Sequence, residues 1–159
     1  MKIIVLSDSH GNTQALIDAV FDESPQLILH LGDYERDCDI VRKVYPAIEL
    51  RTVRGNGDFC GREPDYDEFV VQDKRIFMTH GHLYGVKTGF DSVVNAGLLR
   101  RADILLFGHT HIPFDAFYDG MHIVNPGSIA FGAQTYAVLE IEHGVIRCRI
   151  TGLGKSIRG

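Results

Sequence analysis

The sequence has few cysteines and no long apolar run. Only three cysteines occur among its 159 residues, widely spaced and without a C-x-x-C pair: Cys38, Cys60 and Cys148. This pattern argues against a disulfide framework and against a zinc ribbon. The first apolar stretch ends near Asp8 after four apolar residues, which is too short for a signal peptide or a membrane span. We therefore expect a cytoplasmic protein with no membrane segment.

The sequence also lacks an excess of basic residues. Lys and Arg together number 16 against 21 for Asp and Glu, which gives a formal net charge of −5. Without a basic stripe or an aromatic platform, nucleic acid is disfavoured as a partner. No internal repeat or low-complexity segment is present, and a chain of this length fits one domain. We expect a single domain over residues 1–151, followed by a polar, mobile tail over residues 152–159.

The chain alternates short apolar runs with helical patterns and then continues in hairpins. The runs predict strands at residues 3–6, 27–31, 48–53, 69–71, 75–78, 104–107, 114–118, 121–124, 135–141 and 145–150. Helices are predicted after a cap at Asn12, over residues 37–44 and over residues 88–101. The order βαβαβ, followed by β, α and hairpins, predicts an α/β fold built as a layered sandwich with mixed sheets.

Side chains that can bind metal ions follow most of the predicted buried strands. In open α/β sheets, ligands bind in the crevice beyond the carboxyl ends of the strands. The side chains expected to converge there belong to Asp8, His10, Asp33, Asn56, His80, His109 and His111. Alone, Asp8 and His10 could belong to a helix-entry loop, and Asp33 and Asn56 could be turn residues. Their repetition at successive strand ends instead indicates one shared site.

The chemistry of these seven residues narrows the kind of ion. Two carboxylates, one amide and four imidazoles are too rich in nitrogen for calcium or magnesium, and they lack the thiolates of a structural zinc site. Mn²⁺ is our first expectation, and Zn²⁺, Fe²⁺, Ni²⁺ and Co²⁺ also fit. So many ligands suit two ions about 3.5–4 Å apart, which lower the pKa of a bridging water and clamp a phosphoryl group. We therefore expect two divalent ions per chain.

In chain order these motifs resemble the calcineurin-like metallophosphoesterase family. The motifs are Asp8-Ser9-His10, Gly32-Asp33, Gly55-Asn56-Gly57-Asp58, Gly81-His82 and Gly108-His109-Thr110-His111, and Asn125-Pro126-Gly127-Ser128 is similar to the small prokaryotic phosphodiesterase branch. As a set they are specific, whereas Gly-Asp or Gly-His alone would mean nothing. The resemblance implies a four-layer αββα sandwich with two mixed β-sheets. It implies one ion held by Asp8, His10 and His111, a second held by Asn56, His80 and His109, and Asp33 as the bridge.

The resemblance also implies hydrolysis of a small phosphodiester by a metal-bridging hydroxide. The residues expected to take part are Asp33, Asn56, His109, Asp58 and His82. Many members of the family carry a histidine after the motif asparagine, where this chain has Gly57. The absence of that imidazole proton donor should slow the hydrolysis of substrates with poor leaving groups most. We take His80 as the ligand because it directly follows a strand, and His82 as a contact to the ligands or the phosphate, although either histidine could be the ligand.

Other functions remain open on the sequence alone. A general phosphomonoesterase would use the same ligands, and a nuclease is a weaker third option. A non-catalytic scaffold is a further alternative, because a retromer subunit of eukaryotes resembles this fold while serving as a scaffold. Self-association as a homo-oligomer also stays open. The remaining histidines, His30, His122 and His143, are interpreted as packing or solvent-facing residues, and Asn125 and Ser128 as residues that could border the substrate pocket.

Overall fold

The structure, a computed structural model, describes residues 1–154. Its strands are β1 (Lys2–Leu6), β2 (Leu27–His30), β3 (Glu49–Thr52), β4 (Tyr66–Val71), β5 (Lys74–Thr79), β6 (Ile104–Leu106), β7 (Phe114–Tyr118), β8 (Met121–Asn125), β9 (Thr135–Glu142) and β10 (Val145–Gly152). Its α-helices are α1 (Thr13–Glu23), α2 (Asp37–Val44) and α3 (Asp91–Leu99), and a short 3₁₀ turn covers His82–Tyr84.

The strands pair into two five-stranded sheets. In the first sheet the order is β10-β9-β1-β2-β3, where β1, β2 and β3 are parallel and β9 and β10 are antiparallel. In the second sheet the order is β4-β5-β6-β8-β7, where β5, β6 and β8 are parallel and the edge strands β4 and β7 are antiparallel. Both sheets are therefore mixed, and the parallel strands of each sheet end at a common edge.

Alternating side chains within the buried strands build the layers. In β1, Ile3 points into the core between the two sheets, whereas Ile4 packs with α1 on the outer face. In β5, Ile76 points into the same central core, whereas Phe77 packs with α3 on the opposite outer face. Strands that are covered on both faces have apolar residues at consecutive positions, and the sequences of these strands show this pattern. The layer order is helix, sheet, sheet, helix, and the predicted αββα sandwich is confirmed.

Two element boundaries differ from the prediction for local reasons. Helix α3 starts at Asp91 instead of residue 88, because Thr88 donates its N–H to the carbonyl of Gly85 (3.0 Å) in a turn. It ends at Leu99, since Arg101 takes a left-handed conformation with φ 54°. Strand β4 begins at residue 66 instead of 69, because it pairs with the full length of β5.

The end of the described chain remains attached to the first sheet. Strand β10 continues to Gly152, and the N–H of Leu153 donates to the carbonyl of Gln134 at 2.9 Å. The remainder of the predicted tail, residues 155–159, lies outside the described residues, and the division into domain and tail stays a prediction. Over residues 1–154, no helix combines the length and the apolar character needed to cross a membrane.

Candidate metal centre

The predicted ligands lie on loops that follow the parallel strands. In the first sheet, the loop after β1 carries Asp8 and His10, the loop after β2 carries Asp33, and the loop after β3 carries Asn56. In the second sheet, His80 directly follows β5, and His109 and His111 follow β6. Because the two sheets pack face to face, these loops meet in one cleft. The structure brings all seven side chains together there.

A first cluster consists of Asp8, His10 and His111, whose ligand atoms all lie within 4.8 Å of one another. His111 Nε2 is 3.1 Å from Asp8 Oδ1. His10 Nε2 is 3.9 Å from the same oxygen and 3.6 Å from Asp33 Oδ2. This nitrogen is buried, yet it has no hydrogen-bond partner within residues 1–154. A bound cation would satisfy a buried nitrogen that faces two carboxylates in this way.

A second cluster consists of Asp8, Asp33 and His80. Asp33 Oδ1 lies 3.5 Å from His80 Nε2, whereas Oδ2 faces the first cluster. His80 Nε2 also lies 3.0 Å from Asn56 Oδ1 and 3.2 Å from His109 Nδ1. Asp33 therefore stands between the two groups of predicted ligands, and Asp8 belongs to both clusters.

The hydrogen bonds of His80 show that this geometry fits a metal ion. His80 Nδ1 lies 2.7 Å from the carbonyl oxygen of Leu31, which can only accept, so Nδ1 carries a proton. In the neutral ring, which is the form that can bind a metal ion, Nε2 then has a free lone pair. It faces the amide oxygen of Asn56 at 3.0 Å, and that oxygen is an acceptor too. Two acceptors at this distance repel each other without a proton between them, and a cation bound to both removes the repulsion.

Electrostatics favour the metal-binding protonation states of Asp8 and His109, whereas they favour the protonated form of His111. Burial raises the pKa of Asp8, but the hydrogen bond with His111, the charge of His80 and the hydroxyl of Ser7 together hold that pKa below its usual value. Burial, assisted by the charge of His80, lowers the pKa of His109 to about 4, so its imidazole is neutral near pH 7. The hydrogen bond with Asp8 raises the pKa of His111. Metal binding at His111 therefore competes with a proton.

The backbone at the ligands is strained. Five of the predicted ligands take a left-handed conformation: Asp8 (φ 54°), His10 (φ 43°), Asp33 (φ 60°), His109 (φ 70°) and His111 (φ 61°). A residue other than glycine held in this region costs about 1–3 kcal/mol. Such strain persists where surrounding contacts impose it, and it concentrates at functional sites. The backbone conformation thus supports a functional site independently of the distances between side chains.

His82 lies beside the second cluster. Its ring centroid is 5.4 Å from that of His80 and 6.2 Å from that of His109. Burial and the charge of His80 lower the pKa of His82. Its position agrees with the choice of His80 over His82 as the ligand, because only His80 belongs to a ligand cluster of the described chain. A catalytic role for His82 stays a prediction.

Asp58 faces the backbone of the neighbouring loop. Its Oδ1 accepts the N–H groups of Tyr34 (2.7 Å) and Glu35 (3.0 Å), and its Oδ2 accepts the N–H of Gly55 (2.9 Å). These bonds join the loop after β2 to the loop that carries Asn56. In this structure Asp58 therefore supports the loops, and its catalytic role stays a prediction.

A buried hydrogen-bond network supports the loop of Asp8 and was not foreseen from the sequence. Ser9 Oγ donates to Asp37 Oδ2 (2.7 Å) and lies 3.0 Å from His30 Nε2. Because the N–H of Gly32 donates to His30 Nδ1 (3.2 Å), His30 Nε2 carries the proton and donates to Ser9. All three side chains are buried. The sequence feature that could have indicated this network is a histidine within an otherwise apolar strand, because a buried polar side chain needs hydrogen-bond partners.

Replacing Ser9 by alanine is expected to weaken metal binding. The change removes the hydroxyl that fixes the loop between Asp8 and His10, and loss of a residue that orients ligands costs about 10–100-fold in metal affinity. Titration calorimetry with Mn²⁺ measures the effect. Ser92→Ala, on the exposed face of α3, is the control and should bind Mn²⁺ like the parent. Equal affinity of Ser9→Ala and the parent would show that the network does not position the ligands.

His30 should make the stability of the fold depend on pH. Burial lowers the pKa of His30 to about 4, whereas an unfolded histidine has a pKa of about 6.5. Above pH 6.5 both states are neutral at this residue, and the free energy of unfolding does not change. As pH falls below about 6.5 only the unfolded chain binds the proton, so stability is lost until about pH 4, by roughly 2 kcal/mol at pH 5.

Urea unfolding at pH 7.5 and pH 5, in chelator, measures this loss. The control is His30→Gln, which keeps a donor and an acceptor without a titratable nitrogen. Its unfolding free energy should change less between the two pH values than that of the parent. A parent and a variant with the same pH dependence would contradict the assignment.

The loop after β8 closes another side of the metal centre. Ser128 Oγ donates to the carbonyl of Asp8 (3.0 Å) and accepts the N–H of Phe131 (3.0 Å). The ring of Phe131 stacks on that of His111, with centroids 5.5 Å apart and planes at 20°. Asn125 is fully buried behind this loop. Ser128 therefore holds both a ligand's backbone and an aromatic cover, which is more than the pocket-lining role expected from the sequence.

A two-sheet sandwich with this donor set at its strand ends has the architecture of a metallophosphoesterase. The comparison with known families agrees, since residues 1–144 match the calcineurin-like phosphoesterase superfamily domain. The chain belongs to this superfamily. The resemblance inferred from the sequence motifs is thereby confirmed.

The chain is similar to known proteins in both sequence and fold. The chain is 32% identical to a probable metallophosphoesterase, YsnB of Bacillus subtilis, over 94% of this chain and 89% of the relative. It is 26% identical to the phosphodiesterase YfcE of Escherichia coli, over 82% of this chain and 80% of the relative. Among solved structures it is similar to Vps29 of Entamoeba histolytica complexed with Zn²⁺, with a TM-score of 0.74 and 21% identity over 97% of this chain and 100% of the other. That last likeness concerns the fold alone.

Proposed function

We propose that this protein is a phosphodiesterase that works with two divalent metal ions at the candidate metal centre. The observation that carries the proposal is the convergence of two ligand clusters, Asp8-His10-His111 and Asp8-Asp33-His80, in one cleft. Membership of a phosphoesterase family and the relationship to a protein named as a phosphodiesterase support the same reaction class.

The ligands divide between the two ions. Asp8, His10 and His111 would hold the first ion, Asn56, His80 and His109 would hold the second, and Asp33 would contact both. Mn²⁺ is the first choice, and Zn²⁺, Fe²⁺, Ni²⁺ or Co²⁺ also suit these donors. Such a pair, when bound, supplies an activated water and stabilises the charge on a phosphoryl group.

The protein's own residues orient and shield the reacting group. Asn56 and His109 stand at the open side of the second cluster, since neither is buried, and can frame the phosphate. His109 is neutral near pH 7, with a pKa of about 4, so protons do not compete for it. Phe131, stacked on His111, covers one side of the first cluster.

A diester fits the charges at the cleft better than a monoester. Lys87 is exposed, and its positive charge acts on both His109 and His111. No salt bridge of residues 1–154 places an arginine on Asp8 or Asp33. One exposed lysine suits the single negative charge of a diester, whereas a monoester dianion favours a bidentate arginine clamp.

Two model substrates test the choice. Bis-p-nitrophenyl phosphate and p-nitrophenyl phosphate release the same nitrophenolate, and their kcat/KM values are compared in Mn²⁺ and in chelator. We expect hydrolysis to require the metal and to favour the diester. A clear preference for the monoester rejects the diesterase assignment, and full activity in excess chelator rejects the role of the metals.

A non-catalytic scaffold is the second candidate, because a fold does not by itself determine function. Purified protein that binds Mn²⁺ but hydrolyses neither substrate would favour this alternative. Against it stands the complete donor set, together with left-handed strain at five of the ligands, which a scaffold has no need to retain.

A further inference from the structure

A cavity of about 310 Å³ lies beside the candidate metal centre. Its walls come from the loops after β2 and β3 and include Arg36, Gly57, Asp58 and Phe59. Gly57 belongs to the metal centre as well, because its N–H donates to Asp33 Oδ1 at 2.8 Å. The cavity and the ligands therefore share one stretch of backbone. Its volume is at the lower end of the range for small-molecule pockets.

The wall that carries Phe59 is held in place by hydrogen bonds. Asp58 ties this loop to the N–H groups of residues 34 and 35, and the N–H of Arg62 donates to Glu35 Oε1 at 2.7 Å. The N–H of Gly61 also donates to the carbonyl of Asp58 at 2.9 Å. The loop is thus fixed against its neighbour at both ends, and Phe59 projects from a supported turn.

Phe59 is 93% exposed, more than any other large apolar side chain of the described residues. A fully exposed phenyl ring contributes nothing to the core, and single exposed apolar residues are common. This one differs because it lines a cavity next to a candidate reaction centre. An exposed ring in such a place offers a face on which a planar group can stack.

Arg36 adds a charged group to the same cavity. Its guanidinium lies 5.4 Å from the centroid of the Tyr34 ring, and the ring of Tyr34 lies 5.1 Å from that of the ligand His10. Arg36 forms no salt bridge within residues 1–154. Its donors are therefore free to bind acceptor atoms on the edge of a planar ring.

We propose that this cavity binds the nucleoside part of a phosphodiester whose phosphate lies at the metal centre. A nucleobase offers a flat face for Phe59 and carbonyl acceptors for Arg36, whereas an alkyl group offers neither and a plain phenyl group offers only the face. The inference rests on the proposed phosphodiesterase function and names its substrate class: a nucleotide diester rather than an alkyl diester.

Three diesters with one leaving group test the inference. They are thymidine 5′-p-nitrophenyl phosphate, phenyl p-nitrophenyl phosphate and methyl p-nitrophenyl phosphate, assayed with the Mn²⁺-loaded protein. We expect kcat/KM to be highest for the thymidine ester. Phe59→Ala should lower kcat/KM for the thymidine ester about 5- to 150-fold, the range for loss of one base stack, and should change kcat/KM for the methyl ester little. Arg36→Gln should lower kcat/KM for the thymidine ester but not for the phenyl or methyl ester.

The matched control is Phe21→Ala, which removes a 73% exposed phenylalanine from α1 and should leave all three esters unchanged. Equal losses on the thymidine and methyl esters, or no preference in the parent, would overturn the inference. If the parent hydrolyses none of the esters, the proposed function fails instead. The cavity is then judged by titration calorimetry with thymidine 5′-monophosphate, which the parent should bind more tightly than Phe59→Ala.

Discussion

His109→Ala is expected to abolish phosphodiester hydrolysis while leaving the fold nearly intact. The imidazole of His109 lies 3.2 Å from His80 Nε2, so its loss would remove a donor from the proposed second ion. Loss of a residue that only supports a ligand already costs about 10–100-fold, and we expect loss of the ligand itself to lower kcat/KM at least about 100-fold. The N–H of residue 109, which donates to Asp8 Oδ2 at 3.1 Å, is retained in the variant.

The matched control is His143→Ala. His143 is exposed in the turn between β9 and β10 and has the same left-handed conformation, with φ 50° against 70° for His109. Any backbone strain caused by alanine in this region is therefore common to both variants. Circular dichroism and thermal unfolding establish that both are folded, and bound Mn²⁺ is measured alongside turnover. Unchanged turnover in His109→Ala would contradict the proposed mechanism. An equal loss of turnover in His143→Ala would show that the effect is not specific to the candidate metal centre.

The location of the metal centre could be predicted because it depends on strand order. Ile3–Leu6 and Ile104–Leu106 are short apolar runs, and each is followed within five residues by two side chains that can bind metal. Parallel strands place the loops at their carboxyl ends along one edge of the sheet. Residues as distant in sequence as Asp8 and His111 could thus be assigned to one place from the sequence alone, and Nε2 of His111 lies 3.1 Å from Asp8 Oδ1.

Other features depend on contacts that no local pattern encodes. The bond from Ser9 to Asp37 spans 28 positions, and both residues resemble ordinary loop or helix-start residues in the sequence. The support that Asp58 gives to the backbone depends on how two loops pack. The start of α3 was predicted three residues too early because Phe90 continues the apolar spacing. The turn at Gly85, after which the helix begins, does not alter that spacing.

Gly55→Ala is expected to disrupt the metal centre because the two loops that carry Asp33 and Asn56 touch through this glycine. A Cβ atom on residue 55 would lie 2.2 Å from Asp33 Oδ1 and 2.4 Å from the Asp33 backbone nitrogen. The side-chain oxygen could rotate away, but the backbone nitrogen cannot move without its loop. Overpacking of a well-packed region costs about 1–3 kcal/mol and more when backbone must shift. We expect Gly55→Ala to lose at least about 3 kcal/mol of unfolding free energy.

Gly57→Ala provides the graded comparison, since it adds the same methyl group two residues later in the same loop. Its Cβ would lie 3.1 Å from Asp33 Oδ1, and the three atoms nearest to it all belong to that carboxylate, which can shift by a few tenths of an ångström. We expect Gly57→Ala to remain folded, to lose about 1 kcal/mol of unfolding free energy, and to bind Mn²⁺ somewhat more weakly than the parent. Gly55→Ala should lose Mn²⁺ binding altogether. If the two variants unfold at the same urea concentration and bind Mn²⁺ equally, contact between these loops does not set the position of Asp33, and the bridging geometry must be held by other residues.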